Sequence, residues 1–118
     1  MPLATEERRQ HQRYTIENSV AVSDNGVFQV SDVSSGGFCF KCPPYTAISD
    51  FWETDILTPI EQLKDYPVKR VWVSLTENHT HEALPTVVGA KFGKLTKEQK
   101  ELLSRLIETL SHHEGPDQ

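Results

Sequence analysis

Val27-Phe28-Gln29-Val30-Ser31-Asp32-Val33-Ser34-Ser35-Gly36-Gly37-Phe38-Cys39-Phe40-Lys41-Cys42 is the stretch that decides the fold. Residues 27–33 are rich in β-branched and aromatic side chains, and Phe28 and Val30 fall on one face at period two, the signature of a half-buried strand. Residues 38–42 repeat the pattern, with Phe38 and Phe40 sharing a face. Between them, Asp, two Ser and two Gly form a turn, because Asp and Ser bond to their own backbone and Gly tolerates positive φ. Two apolar-faced strands joined by so short a turn predict an antiparallel sheet.

The same reading extends in both directions. Asp24-Asn25-Gly26 is a strong hairpin turn, and residues 14–22, with Tyr14, Ile16, Val20 and Val22 at even spacing, read as the strand before it. Downstream, Cys42-Pro43-Pro44-Tyr45 ends the sheet, since proline cannot donate to a ladder. A short strand is predicted over 51–57 and a turn, or one helical turn, over 59–66. In 67–75, Val71, Val73 and Leu75 alternate with Arg70, Trp72 and Ser74, giving one apolar face and one polar face. A polar turn over 76–83 leads to a strand over 85–92. Thr96 and Gln99 then form a capping box, and Leu102, Leu103, Leu106, Ile107 and Leu110 recur at helical spacing, ending before Gly115-Pro116. The expected architecture is mainly β: a small antiparallel six-stranded β-barrel with a C-terminal α-helix across one end. A flexible N-terminal arm over 1–13 precedes the barrel and helix of 14–111, and 112–118 is a polar tail.

Length and composition narrow the function. A chain of 118 residues with 36% hydrophobic content is long enough for one self-supporting core. No apolar run approaches the roughly twenty residues of a membrane span, and residues 1–13 carry no secretory pattern, so a cytoplasmic location is expected. A formal charge of -5 argues against a general nucleic-acid binder, which needs a broad basic surface. Positive charge is nevertheless concentrated at Arg8, Arg9 and Arg13. No Ser/His/Asp order, phosphate loop or paired-carboxylate signature emerges, so an enzyme is not expected.

Arg8-Arg9-Gln10-His11-Gln12-Arg13 and Asp32-Val33-Ser34-Ser35-Gly36-Gly37 together describe a site for a planar anionic ligand. An arginine fork matches phosphate oxygens or the O6/N7 edge of guanine. An ionised Asp accepts the N–H groups of guanine's opposite edge, while Ser and Gly offer a hydroxyl and open backbone donors. Each residue also has a duller role, as solvated surface charge for the arginines and plain turn residues for Asp32 and Gly37.

These two pieces resemble the RxxxR and [D/N]xSxxG signatures of PilZ domains, the bacterial receptors for cyclic diguanylate (cyclic di-GMP). Arg9 and Arg13 match the first motif, with Arg8 as the extra preceding arginine; Asp32, Ser34 and Gly37 match the second. Val88-Gly89-Ala90-Lys91-Phe92, followed by Leu95 and a closing helix, is similar to the family's ending, whereas residues 43–66 lie outside the likeness. The resemblance implies a small barrel with a terminal helix that binds cyclic di-GMP through Arg8, Arg9, Arg13, Asp32, Ser34 and Gly37. It also implies an arm that orders on binding, with Arg8 favouring a stacked ligand dimer, and a downstream protein of motility, exopolysaccharide or pilus machinery. Trp72, on the polar face of its strand, is a candidate for stacking on a base. The alternative is an adaptor that binds a protein of a motility or secretion system and ignores nucleotide; the three arginines distinguish the two readings.

Cys39 and Cys42 invite a metal or redox reading, with His79 and His81 as further ligands. Residues i and i+3 of a strand point to opposite faces, so the plainer expectation is one core thiol and one surface thiol.

Overall fold

The computed structural model describes residues 11–75 and 86–113. Among the described residues, seven strands and one helix follow in order: β1 (Tyr14–Thr15), β2 (Val20–Ser23), β3 (Gly26–Val33), β4 (Gly37–Cys42), β5 (Phe51–Leu57), β6 (Gln62–Leu75), β7 (Thr86–Phe92) and α1 (Lys97–His113). Every pairing is antiparallel. Strands β3, β2, β5, β6, β7 and β4 form a ring that closes through the β3–β4 pairing, and β1 is an additional strand on β3. The six-stranded barrel with a C-terminal helix is therefore as the sequence predicts.

The core is built from the inward face of each strand. Val30, Val33, Phe40, Ile56, Leu63, Tyr66, Val88 and, from the helix, Leu106 are almost wholly buried. Phe28, Phe38, Phe40, Trp52 and Phe92 form a run of aromatic contacts with ring centroids 5.3–6.2 Å apart. Helix α1 lies against β6 and β1, burying Leu103, Leu106 and Leu110 at helical spacing. Its capping box forms as expected: Thr96 N–H donates to Gln99 Oε1 at 2.9 Å, and Gln99 N–H donates to Thr96 Oγ1 at 3.1 Å. Tyr66 Oη donates to the Gln99 carbonyl at 2.5 Å, tying the first helical turn to β6. His112 and His113, expected in the tail, belong to the last turn of α1.

Four local expectations are corrected. Residues 14–22 are not one strand, because Asn18 takes a left-handed φ of 56° and the register on β3 shifts by two residues between Tyr14↔Val33 and Val20↔Gln29. Residues 59–66 hold no helical turn. Thr58 Oγ1 accepts the N–H groups of Ile60 and Glu61 and donates to the Glu61 carbonyl, which closes a hairpin and starts β6 at Gln62. Val71 and Val73 are not buried: Val73 shares the inward face of its partner Val88, yet the two are 56% and 48% exposed, because β5 pairs with β6 only as far as Lys69 and, among the described residues, no other strand pairs with that side of β6 beyond it. Cys39 and Cys42 are both buried. The turn over 76–83, with His79 and His81, lies outside the described residues.

Candidate functional site

Side chains on β4 alternate strictly, with Phe38, Phe40 and Cys42 facing the core partners Ala90, Val88 and Thr86 on β7. Gly37, Cys39 and Lys41 therefore belong to the outer face. Cross-strand partners share a face. The pairings Thr15↔Asp32, Asp32↔Cys39, Cys39↔Gly89 and Gly89↔Trp72 thus define one row across the outside of the barrel, spanning β1, β3, β4, β7 and β6.

Two β-bulges aim this row. Even spacing from Phe28 and Val30 would turn Asp32 into the core, but the register shifts between Val30 and Asp32 and turns the carboxylate outward. A second shift, between Arg70 and Trp72, places Trp72 opposite Gly89 rather than over the barrel interior. An inserted residue that redirects one side chain is a recurring device beside binding sites. Asp32 and Trp72 stand three strand spacings apart, roughly 14 Å, and the ring spans part of that gap. A Cβ at Gly89 would lie 2.3 Å from Trp72 Cε2 and 2.4 Å from Nε1, so the indole lies directly over Gly89. Cys39 lies between Gly89 and Asp32 in this row and is buried although it faces outward.

Asp32 is the most unusual group in the row. Its Oδ1 is buried without a hydrogen-bond partner among the described residues, an arrangement that costs about 1–3 kcal/mol or more for a charged acceptor. The Cys39 thiol is pushed up to about 11, first by burial, then by the Asp32 charge and by the thiol's own hydrogen bond to the Asp32 carboxylate, with the Arg13 guanidinium opposing the rise; the orphaned acceptor is Oδ1 alone. Arg13 and Asp32 thus act on the same buried atom. Arg13 is exposed immediately before β1, close to the corner that holds the carboxylate.

Ser34 and Gly37 shape the turn. Ser34 Oγ accepts the N–H groups of Gly36 and Gly37 at 3.1 and 3.2 Å, and Ser34 N–H donates to the Gly37 carbonyl at 2.8 Å. A Cβ on Gly37 would stand 2.0 Å from the Ala90 carbonyl oxygen, so only glycine lets β4 approach β7 there. Gly36 accepts the Phe92 N–H at 2.9 Å, which fastens the turn to β7.

His11, to which the sequence reading assigns no role, meets this turn directly. Its Nδ1 is 2.8 Å from Ser35 Oγ, and its ring occupies the space over Gly36, where a Cβ would come within 2.4 Å of His11 Cδ2. A histidine at i+2 from one arginine and i-2 from the next was the available signal. A shallow cleft of about 480 Å³ borders the site, lined by Phe51, Pro67, Lys69, Lys91 and Gly93 among others; Lys91 is the cross-strand neighbour of Gly37.

The structure therefore brings Arg13, Asp32, Ser34, Gly37 and Trp72 to one side of the barrel wall, while Arg8 and Arg9 lie outside the described residues. Among the described residues, no group of three or more His, Cys, Asp or Glu side chains could hold a metal ion. None of the described helices is long and apolar enough to cross a membrane.

Comparison with known proteins gives a consistent result. The PilZ domain family model matches residues 7–109. The PilZ domain of YcgR from Escherichia coli, solved with c-di-GMP, superposes with a TM-score of 0.67 at 14% identity, covering 91% of this chain and 94% of that one. The MrkH–c-di-GMP complex from K. pneumonia superposes with a TM-score of 0.76 at 10% identity, covering 94% of this chain and 56% of that one. An uncharacterised Legionella protein gives a TM-score of 0.62 at 13% identity, covering 87% and 97%. No curated protein sequence matches significantly.

Proposed function

The chain belongs to the PilZ domain family, and on that premise we propose that it is a receptor for cyclic di-GMP, bound across the outer row from Asp32 to Trp72. The carrying observation is Asp32 Oδ1, an acceptor buried without a hydrogen-bond partner among the described residues, held beside an exposed arginine and in one row with an exposed indole. A guanine Watson–Crick edge supplies two N–H donors to such a carboxylate. Arg13, with Arg9 and Arg8, meets phosphate or the Hoogsteen edge bidentately. The Trp72 indole provides a face for a base, for about 1–3 kcal/mol. Ser34 and Gly37 contribute by fixing the turn that presents Asp32.

Binding closes the arginine-bearing arm over the ligand, and a downstream protein partner reads the closed arm. The preceding Arg8 suits a stacked pair of ligand molecules. Location in the cytoplasm, where cyclic dinucleotides are made and read, belongs to the same reading. The proposal is tested by calorimetric titration of the chain with cyclic di-GMP at physiological salt. Micromolar or tighter affinity is expected, about -8 kcal/mol, falling by about 2–5 kcal/mol in Arg9→Ala or Arg13→Ala. A wild-type chain that releases no heat and shows no shift by another binding assay would return the adaptor reading in its place.

A further inference from the structure

We propose that the cleft between β5, β6 and β7 is a docking site for an acidic segment of a partner protein, which sets an apolar side chain on Phe51 and Pro67 and carboxylates against Lys69 and Lys91. The cleft holds about 480 Å³, and its lining is mainly apolar. Val68 and Phe92, which pair across β6 and β7, are buried in the core, so the alternation of a strand turns their neighbours Lys69 and Lys91 outward. Register continues this outer row as Phe51↔Lys69↔Lys91↔Gly37, which brings the cleft up to the β3–β4 turn without including it. The inference goes beyond nucleotide binding and does not depend on it.

Charge decides the kind of partner. Like charges directly opposite each other weaken a ladder, yet Lys69 and Lys91 are such a pair, and neither has a carboxylate within ion-pair distance among the described residues. Lys64, Arg70 and Arg105, by contrast, each stand within 4.0 Å of one. The Lys69 ammonium instead lies 5.8 Å from the Phe51 ring centroid, over a ring that is 70% exposed. Glu53 is the one acidic residue in the lining among the described residues, and it offsets only one of the two charges. In a chain of net charge -5, an uncompensated lysine pair beside an exposed aromatic is complementary to carboxylates flanking an apolar anchor, the make-up of an interface core with a charged rim. A nucleotide suits the cleft less well. The Phe92 and Gly93 amides, which could hold a phosphate, already donate to the Gly36 and Pro67 carbonyls at 2.9 and 2.7 Å, and lysine offers a point charge without the fork of arginine.

The test is a titration of the 15N-labelled full chain with an acetylated hexapeptide, Glu-Glu-Phe-Leu-Glu-Glu, read at the amides of Phe51, Lys69, Lys91 and Gly93. Saturable shifts are expected there, and none from the same peptide with lysine in place of glutamate. Lys91→Glu should weaken binding at least about tenfold while raising the urea midpoint, because it turns a repulsive cross-strand pair into an attractive one. Gly93→Leu should weaken binding as much without disturbing the fold: a Cβ there meets Pro67 Cβ at 3.4 Å, an ordinary contact, and the added bulk enters the cleft that both residues line. The site is overturned by the absence of saturable shifts at those amides up to about 2 mM peptide, by equal shifts from the lysine peptide, or by unchanged affinity in both variants. Cyclic di-GMP that shifted the cleft amides more than those of Asp32 and Trp72 would assign the cleft to the nucleotide and overturn it too. A wild type that bound the peptide here and no cyclic di-GMP would uphold the docking site and sink the receptor reading alone.

Discussion

At the scale of single residues, the site is organised around a cost. Asp32 Oδ1 is buried without a hydrogen-bond partner among the described residues, and a polar group left in that state destabilises the fold that holds it. Asp32→Asn should therefore leave the melting temperature equal or higher while weakening cyclic di-GMP binding by about 1.5 kcal/mol or more; lower stability with unchanged affinity would reverse the assignment. The two glycines of the row separate in the opposite sense. At Gly37 the obstacle is the Ala90 backbone oxygen, so Gly37→Ala should cost about 2–3 kcal/mol of stability. At Gly89 the obstacle is the Trp72 side chain, so Gly89→Ala should chiefly displace the indole and weaken ligand binding, read by calorimetry beside a urea titration. Cys39 adds a pH signature. Burial, with the Asp32 charge beside it, pushes its thiol from the ordinary 9.0 up to about 11 in the folded chain. The stabilisation is therefore complete below pH 9, and it is lost between pH 9 and 11, as the unfolded thiol ionises first. The urea midpoint should fall more between pH 7.5 and 10.5 in the wild type than in Cys39→Ala.

At the scale of elements, the capping box shows how closely local sequence and tertiary packing cooperate. Among the described residues the Thr96 hydroxyl serves the helix start, whereas the Gln99 side chain also donates to the carbonyls of Asp65 and Lys64, at 3.0 and 3.4 Å. Thr96→Ala should cost about 1 kcal/mol and Gln99→Ala measurably more, by chemical denaturation; equal costs would mean that the contacts to β6 carry nothing. The box, the helix and the β3–β4 turn were all legible because each is specified within a few residues. What was not legible depends on partners distant in the chain. The break at Asn18 follows from the register of β1 and β2 on β3. The early start of β6 follows from Thr58, whose hydroxyl closes a hairpin that a Pro59-Ile60 pair had disguised. Pro67 sits inside β6, where its carbonyl accepts the Gly93 N–H at 2.7 Å, although proline usually marks a strand's end. The two bulges left one trace: a charged Asp32 in step with Phe28 and Val30, an inward position that only an inserted residue relieves.

At the scale of the molecule, a formal charge of -5 means that attraction for a dianionic ligand must be local, and in the proposed reading Arg13 supplies it at the corner that carries Asp32. The sequence reading pairs the arm with the turn as two halves of one proposed site. Structure adds that the turn adjoins a continuous outer row ending at an indole, and that His11 contacts the turn. The most direct measurement of this arrangement is an amide-shift map of the 15N-labelled chain with and without cyclic di-GMP. The largest changes are expected at Arg13, Asp32, Cys39, Gly89 and Trp72, with small changes at Ile56 and Leu63. Shifts clustered elsewhere, or none along the row at saturating ligand, would contradict the site.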